Sequence, residues 1–135
     1  MAGGPDLTRQ LVSSGGPWEA AAGYSRAVAI GDTCWVAGTT DAGPNGRSQH
    51  PGDIGAQTRV TLAIIEAALS EAGFALADVV RIRMFVTDMS LASEVMTIQS
   101  EVFSSIRPAA TLVEVSALID PTLLIEIEAD AQRPG

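Results

Sequence analysis

Residues 107–130 read RPAATLVEVSALIDPTLLIEIEAD, and the alternation inside this stretch decides the fold. Pro108 disfavours helical geometry at Arg107, so a helix arriving from upstream must stop there. Residues 111–118 and 123–130 then read as strands, with Asp120 and Pro121 marking the turn between them. Side chains alternate across a strand. Leu123, Ile125, Ile127 and Ala129 therefore share one face, and Leu124, Glu126, Glu128 and Asp130 share the other. In the strand before, Val113, Val115 and Ala117 alternate with Leu112, Glu114, Ser116 and Leu118.

Working back towards the N-terminus, Ser90 can cap a helix whose apolar stripe is Leu91, Val95, Ile98, Val102 and Ile106. Residues 79–87 form a strand. On it Val80, Ile82, Met84 and Val86 point one way, and Val79, Arg81, Arg83 and Phe85 the other. Asp53 is a good N-cap for a long helix to about Ala72, with Ala56, Val60, Ala63, Ile64 and Ala67 as its apolar face. Gly73 follows as the residue best able to adopt a left-handed conformation. Residues 24–30 and 33–39 form a hairpin about Gly31 and Asp32, and residues 41–52 a Gly/Pro/Asn-rich loop holding His50. Residues 1–23 read as a loose segment with one short strand within 7–12, residues 24–131 as a single domain, and residues 132–135 as a tail.

The predicted order is β-β-α-β-α-β-β, an α+β fold with one mixed sheet and two helices on its apolar face. The opposite face carries Arg81, Arg83, Glu114, Glu126 and Glu128 among Leu, Val and Phe. Opposite charges interleaved with apolar residues suit a subunit interface, where buried charges must be paired. The other reading is a solvated sheet face with cross-strand Arg–Glu pairs.

Composition narrows the function. The 135 residues are 47% hydrophobic and 18% charged, which suits one globular domain. No apolar run reaches the ~18 residues of a membrane span, and no signal-peptide core follows Met1. One cysteine, Cys34, excludes an intrachain disulfide and a cysteine zinc cluster. A cytoplasmic setting is expected. The formal charge is −8, and all 8 basic residues are arginines, dispersed along the chain. Nucleic acid is therefore not an expected partner. A local arginine pocket could still hold one small anion.

The stretches Arg107-Pro108-Ala109-Ala110-Thr111, Val113-Glu114-Val115 and Ile125-Glu126-Ile127-Glu128-Ala129 resemble the C-terminal signature of the RidA (YjgF) family. Gly23-Tyr24-Ser25, Val36-Ala37-Gly38, Ala56-Gln57 and Phe85-Val86-Thr87-Asp88 agree in order. The resemblance implies a chorismate-mutase-like fold and a homotrimer whose sheets form a central barrel. It also implies small-molecule clefts between subunits and cofactor-independent hydrolysis of imino and enamino acids. It places the water-orienting glutamate at Glu126, with Gly38 and Tyr24 lining the cleft.

The family's carboxylate-binding arginine falls on Ala110, which cannot hold an anion, and an asparagine lining the site falls on Met96. The resemblance therefore points to a branch that keeps the cleft and changes the ligand, either as a deaminase-like hydrolase or as a non-catalytic binding trimer. An endoribonuclease is disfavoured by the charge and the single histidine.

Arg83 is a candidate replacement cation, its structural alternative being an ion pair with Glu114, Glu126 or Glu128. Gln99, Glu101 and Arg107 form a candidate polar rim, although Arg107 also suits a helix C-terminus. Ala110 and Glu126 are expected on adjacent strands, and all eight of these residues in one concave site. Cys34 is expected to be an inert buried thiol. Trp18, Trp35, Met84, Met89 and Met96 read as packing residues, and His50 as solvent-exposed.

Overall fold

The computed structural model describes residues 8–134. Its elements are β1 (Gln10–Val12), α1 (Glu19–Ala22), β2 (Ala27–Ile30), β3 (Thr33–Thr39), α2 (Ile54–Glu71), β4 (Val79–Val86), α3 (Ala92–Phe103), β5 (Ala109–Glu114) and β6 (Ile125–Gln132). The strands form one sheet in the order β1-β2-β3-β6-β4-β5. Only the β4–β5 pair is parallel, so the sheet is mixed as expected.

The core lies on the face anticipated for β6. Ile125, Ile127, Ala129 and Ala131 are buried against Ile82, Met84 and Val86 of β4 and Cys34 and Val36 of β3. Fully burying one such aliphatic side chain is worth about 1.5–3 kcal/mol. Helix α2 covers β3 and β6 and packs on α3.

Several local expectations are corrected. The buried side of α2 is Thr58, Thr61, Leu62, Ile65, Ala68 and Leu69, whereas Ala63 and Ala67 face outward. Thr58 can be buried because its hydroxyl donates to the Ile54 carbonyl at 2.7 Å, which removes the penalty of an unmet polar group. The register of β4 shifts between Val79 and Arg81, so Val79 is buried and Val80 exposed, the reverse of strict alternation. Asp88, not Ser90, provides the cap before α3, its carboxylate accepting from the Ser90 amide at 2.9 Å. The strand β6 begins at Ile125 and continues through Gln132.

Within residues 8–22 the N-terminal segment holds two short elements, one of them the expected strand; residues 1–7 lie outside the described residues. β1 pairs with β2, and α1 brings Glu19 into a buried position. Trp35, Met89 and Met96 are exposed rather than packed.

Candidate functional site

Two features of the sheet place Glu126. It stands opposite Phe85 of β4, on the face away from the helices. Beside it the β3–β6 register shifts between Val36 and Thr39, a bulge that turns the β3 backbone at Gly38. The glutamate lies directly over that glycine. A Cβ at position 38 would stand 2.7 Å from Glu126 Oε2, so the absent side chain is what admits the carboxyl group.

Gln57, fully buried in α2, fixes the approach to β6. Its amide donates to the carbonyls of His50 and Thr122, and its Oε1 accepts from the Leu124 amide at 2.8 Å. One side chain thus ties the 41–52 loop to the start of the strand that carries Glu126.

Glu126 lines a cavity of ≈120 Å³ with Ser14, Trp18, Tyr24, Arg26 and Gly38. Its carboxyl has no hydrogen bond or ion pair among the described residues. Partial burial pushes its pKa up; the charge of Glu128 adds to this and Arg26 opposes it. A carboxyl shifted up in this way can exchange a proton nearer neutral pH than an exposed one.

Arg26, which nothing in the linear pattern singled out, is the buried cation of the site. Its Nη1 donates to the Gly38 carbonyl at 2.6 Å and to Thr39 Oγ1 at 3.1 Å, and its Nε to Ser14 Oγ at 3.2 Å. Its guanidinium lies 5.6 Å from the Tyr24 ring centroid. Glu19 Oε2 stands 3.5 Å from Arg26 Nε and accepts from the Ser14 amide and hydroxyl and the Gly16 amide. Burial pushes the Glu19 pKa up, but these hydrogen bonds outweigh it and hold the carboxyl below its ordinary value.

The remaining predicted residues divide. Gln99 and Arg107 line a second, more open cavity of ≈410 Å³ with Met96, Phe103 and Pro108. Arg107 is the one non-glycine residue with a positive φ, 56°, among those described. It closes the turn that follows α3 at Phe103, its amide donating to the Phe103 carbonyl at 2.8 Å. Glu101 lines neither cavity; it pairs with Arg59 of α2 at 2.8 Å on the exposed surface. Arg83 is paired with Glu128 at 3.2 Å and Asp130 at 3.3 Å, so its structural alternative is realised and Asp130 joins it.

Ala110 does not meet Glu126 within one chain. β4 lies between β5 and β6, which corrects the expectation of adjacent strands. Ala110 is in register with Ile82, on the face opposite to Glu126, and is exposed at the sheet edge.

Elsewhere, Cys34 is fully buried, and desolvation pushes its thiol up to about 11, so it is no nucleophile. His50 is exposed. No helix among the described residues is long and apolar enough to cross a membrane.

Comparison with known proteins adds the family context. Residues 16–133 match the family model described as Endoribonuclease L-PSP. A solved structure from Mycobacterium tuberculosis, Rv2704 of the YjgF/YER057c/UK114 family, is 52% identical with a TM-score of 0.84, covering 93% of this chain and 100% of that one. A RutC family protein of Pyrococcus horikoshii is 36% identical over 110 residues, 82% of this chain and 86% of its own. The 3-aminoacrylate deaminase RutC of Acinetobacter baylyi is 31% identical over 125 residues, 93% of this chain and 98% of its own.

Proposed function

The chain belongs to the RidA/YjgF family, and from that premise we propose that it is a homotrimeric, deaminase-like hydrolase of small imines or enamines other than the family's usual imino acids. The observation that carries this reading is Glu126, a half-buried carboxyl without a partner among the described residues, lining a cavity and raised in pKa. Such a group can take a proton from water as it adds to a C=N carbon, and return it to the departing nitrogen. Water and the imine then leave as a carbonyl compound and ammonia. The A. baylyi relative, named for deaminating 3-aminoacrylate, supports C–N hydrolysis as the reaction class.

Ala110, brought to the cleft from a neighbouring subunit of the proposed trimer, supports the change of ligand. Removing a charge-assisted carboxylate contact weakens binding by about 2–5 kcal/mol, so acidic imines lose their anchor. Ala110 equally favours a second reading, a trimer that binds a metabolite without turning it over. RNA is not the proposed substrate, because a chain of formal charge −8 repels a phosphate backbone.

The deciding experiment generates imines in the presence of the protein. An amine oxidase supplies neutral imines and an amino-acid oxidase supplies carboxylated ones, with imine lifetime followed by trapping. Shorter lifetimes for neutral imines support the hydrolase. Unchanged lifetimes for both classes, with small molecules still bound in the cavity, favour the binding reading.

A further inference from the structure

Arg26 is engaged through Nε and Nη1, whereas its Nη2 makes no hydrogen bond among the described residues. Nη2 lies 3.3 Å from where a Cβ on Gly16 would stand, and Arg26, Gly16 and Glu126 line the same cavity. The cavity wall thus presents one free donor and one free carboxyl.

We propose that Arg26 Nη2 and Glu126 together select a neutral amide-like ligand, with a carbonyl oxygen for the arginine and an N–H for the glutamate, over a carboxylate of the same shape. The inference rests on the reading of this cavity as the ligand site.

Charge decides the preference. Glu19 is 3.5 Å from Arg26 Nε and is held ionised by three hydrogen bonds to Oε2, so it offsets the guanidinium. Glu126 lines the cavity, and the nearby Glu128 is itself tied to Arg83. A ligand carboxylate would bring a further negative charge to a site whose one cation is already neutralised, and like charges at close quarters are strongly disfavoured. A carbonyl oxygen accepts from Nη2 without that penalty, and an amide N–H suits the vacant acceptor on Glu126.

The test uses the full chain in its native assembly and two isosteric probes, propionamide and propionate, titrated by amide NMR with the Gly38 and Thr39 signals as site reporters. Propionamide is expected to bind about tenfold more tightly than propionate. In Glu19→Gln the ratio should shrink or invert, because Arg26 regains an uncompensated charge. Only Glu19 Oε2 is engaged, so the Gln carbonyl can keep its contacts. Propionate binding as well as propionamide in the wild type overturns the selectivity while leaving the site in place. If neither probe moves Gly38 and Thr39, the site reading falls and the selectivity with it. The wild-type ratio decides alone should Glu19→Gln fail to fold.

Discussion

Gly38 and Glu126 occupy one another's space: a Cβ on residue 38 would come within 2.7 Å of Glu126 Oε2 and 2.9 Å of its Cδ. The glycine therefore sets where the carboxyl sits. Gly38 also accepts from Arg26 Nη1, so the same backbone position holds the acid and the cation of the cavity.

Gly38→Ala should push the Glu126 carboxyl aside while keeping the sheet. The crowding is met by the end of a flexible side chain, so the loss of stability should be about 1 kcal/mol, at the low end for overpacking. Ligand binding in the cavity should fall much further. Chemical denaturation and a probe titration on the same sample separate the two effects. A variant that binds as the wild type does would show that the close approach has no functional weight.

Glu126→Gln should raise the melting temperature at pH 7. Burial lifts the Glu126 pKa, so folding disfavours its ionised form. Its favourable contribution is complete below the ordinary glutamate value and is lost as pH rises through the raised one. The advantage of the glutamine should therefore vanish in acid, where the wild-type carboxyl is itself neutral. Thermal melts across pH 3–8 check the sign.

Glu19→Ala should destabilise the fold at neutral pH by about 3 kcal/mol, because it leaves Arg26 buried without its ion-pair partner. Both side chains of that pair are 7% exposed. The lowered pKa of Glu19 means that its contribution is present above the ordinary carboxylate value and is lost as pH falls through the lowered one. The wild type should thus lose more stability on acidification than Glu19→Ala does, as urea titrations at pH 7 and pH 3 would show.

The protein should be a trimer in solution, with a mass by light scattering three times that of one chain. The sheet face carrying Trp35, Val113 and the Arg83–Glu128–Asp130 cluster is covered by no helix among the described residues. Trp35 and Val113 are exposed in the single chain, and an apolar surface mixed with paired charges is suited to association. A monomeric or dimeric mass would remove the inter-subunit clefts from the account.

Much of the fold was legible because strand alternation is a local pattern. The 123–130 stretch showed which side of β6 meets the core before any partner was known. The 31–32 turn and the Asp53 cap were equally local. The buried face of α2 was not, because Thr58 and Thr61 read as polar until the Thr58 hydroxyl is seen bonded within its own helix. The β4 bulge reverses Val79 and Val80, and only pairing with β6 reveals it.

In the site, the Glu126–Gly38 pairing was carried by family resemblance, whereas Glu19 and Arg26 went unnoticed. Their partners lie far apart along the chain, from Ser14 to Thr39, and no spacing rule links them. The one available hint was a lone arginine leading into the apolar run Ala27–Ile30. Adjacent placement of Ala110 and Glu126 failed because β4 inserts between two strands that are consecutive in sequence.

The most direct test of the account is the rate at which a neutral imine disappears in the presence of wild type and Glu126→Gln, each confirmed to be folded and in the same assembly. If Glu126 moves the proton, the wild type accelerates hydrolysis and the glutamine variant loses about 100-fold or more of that acceleration. A Glu126→Gln protein that hydrolyses the imine as fast as the wild type would contradict the assignment of Glu126 as the catalytic acid–base group.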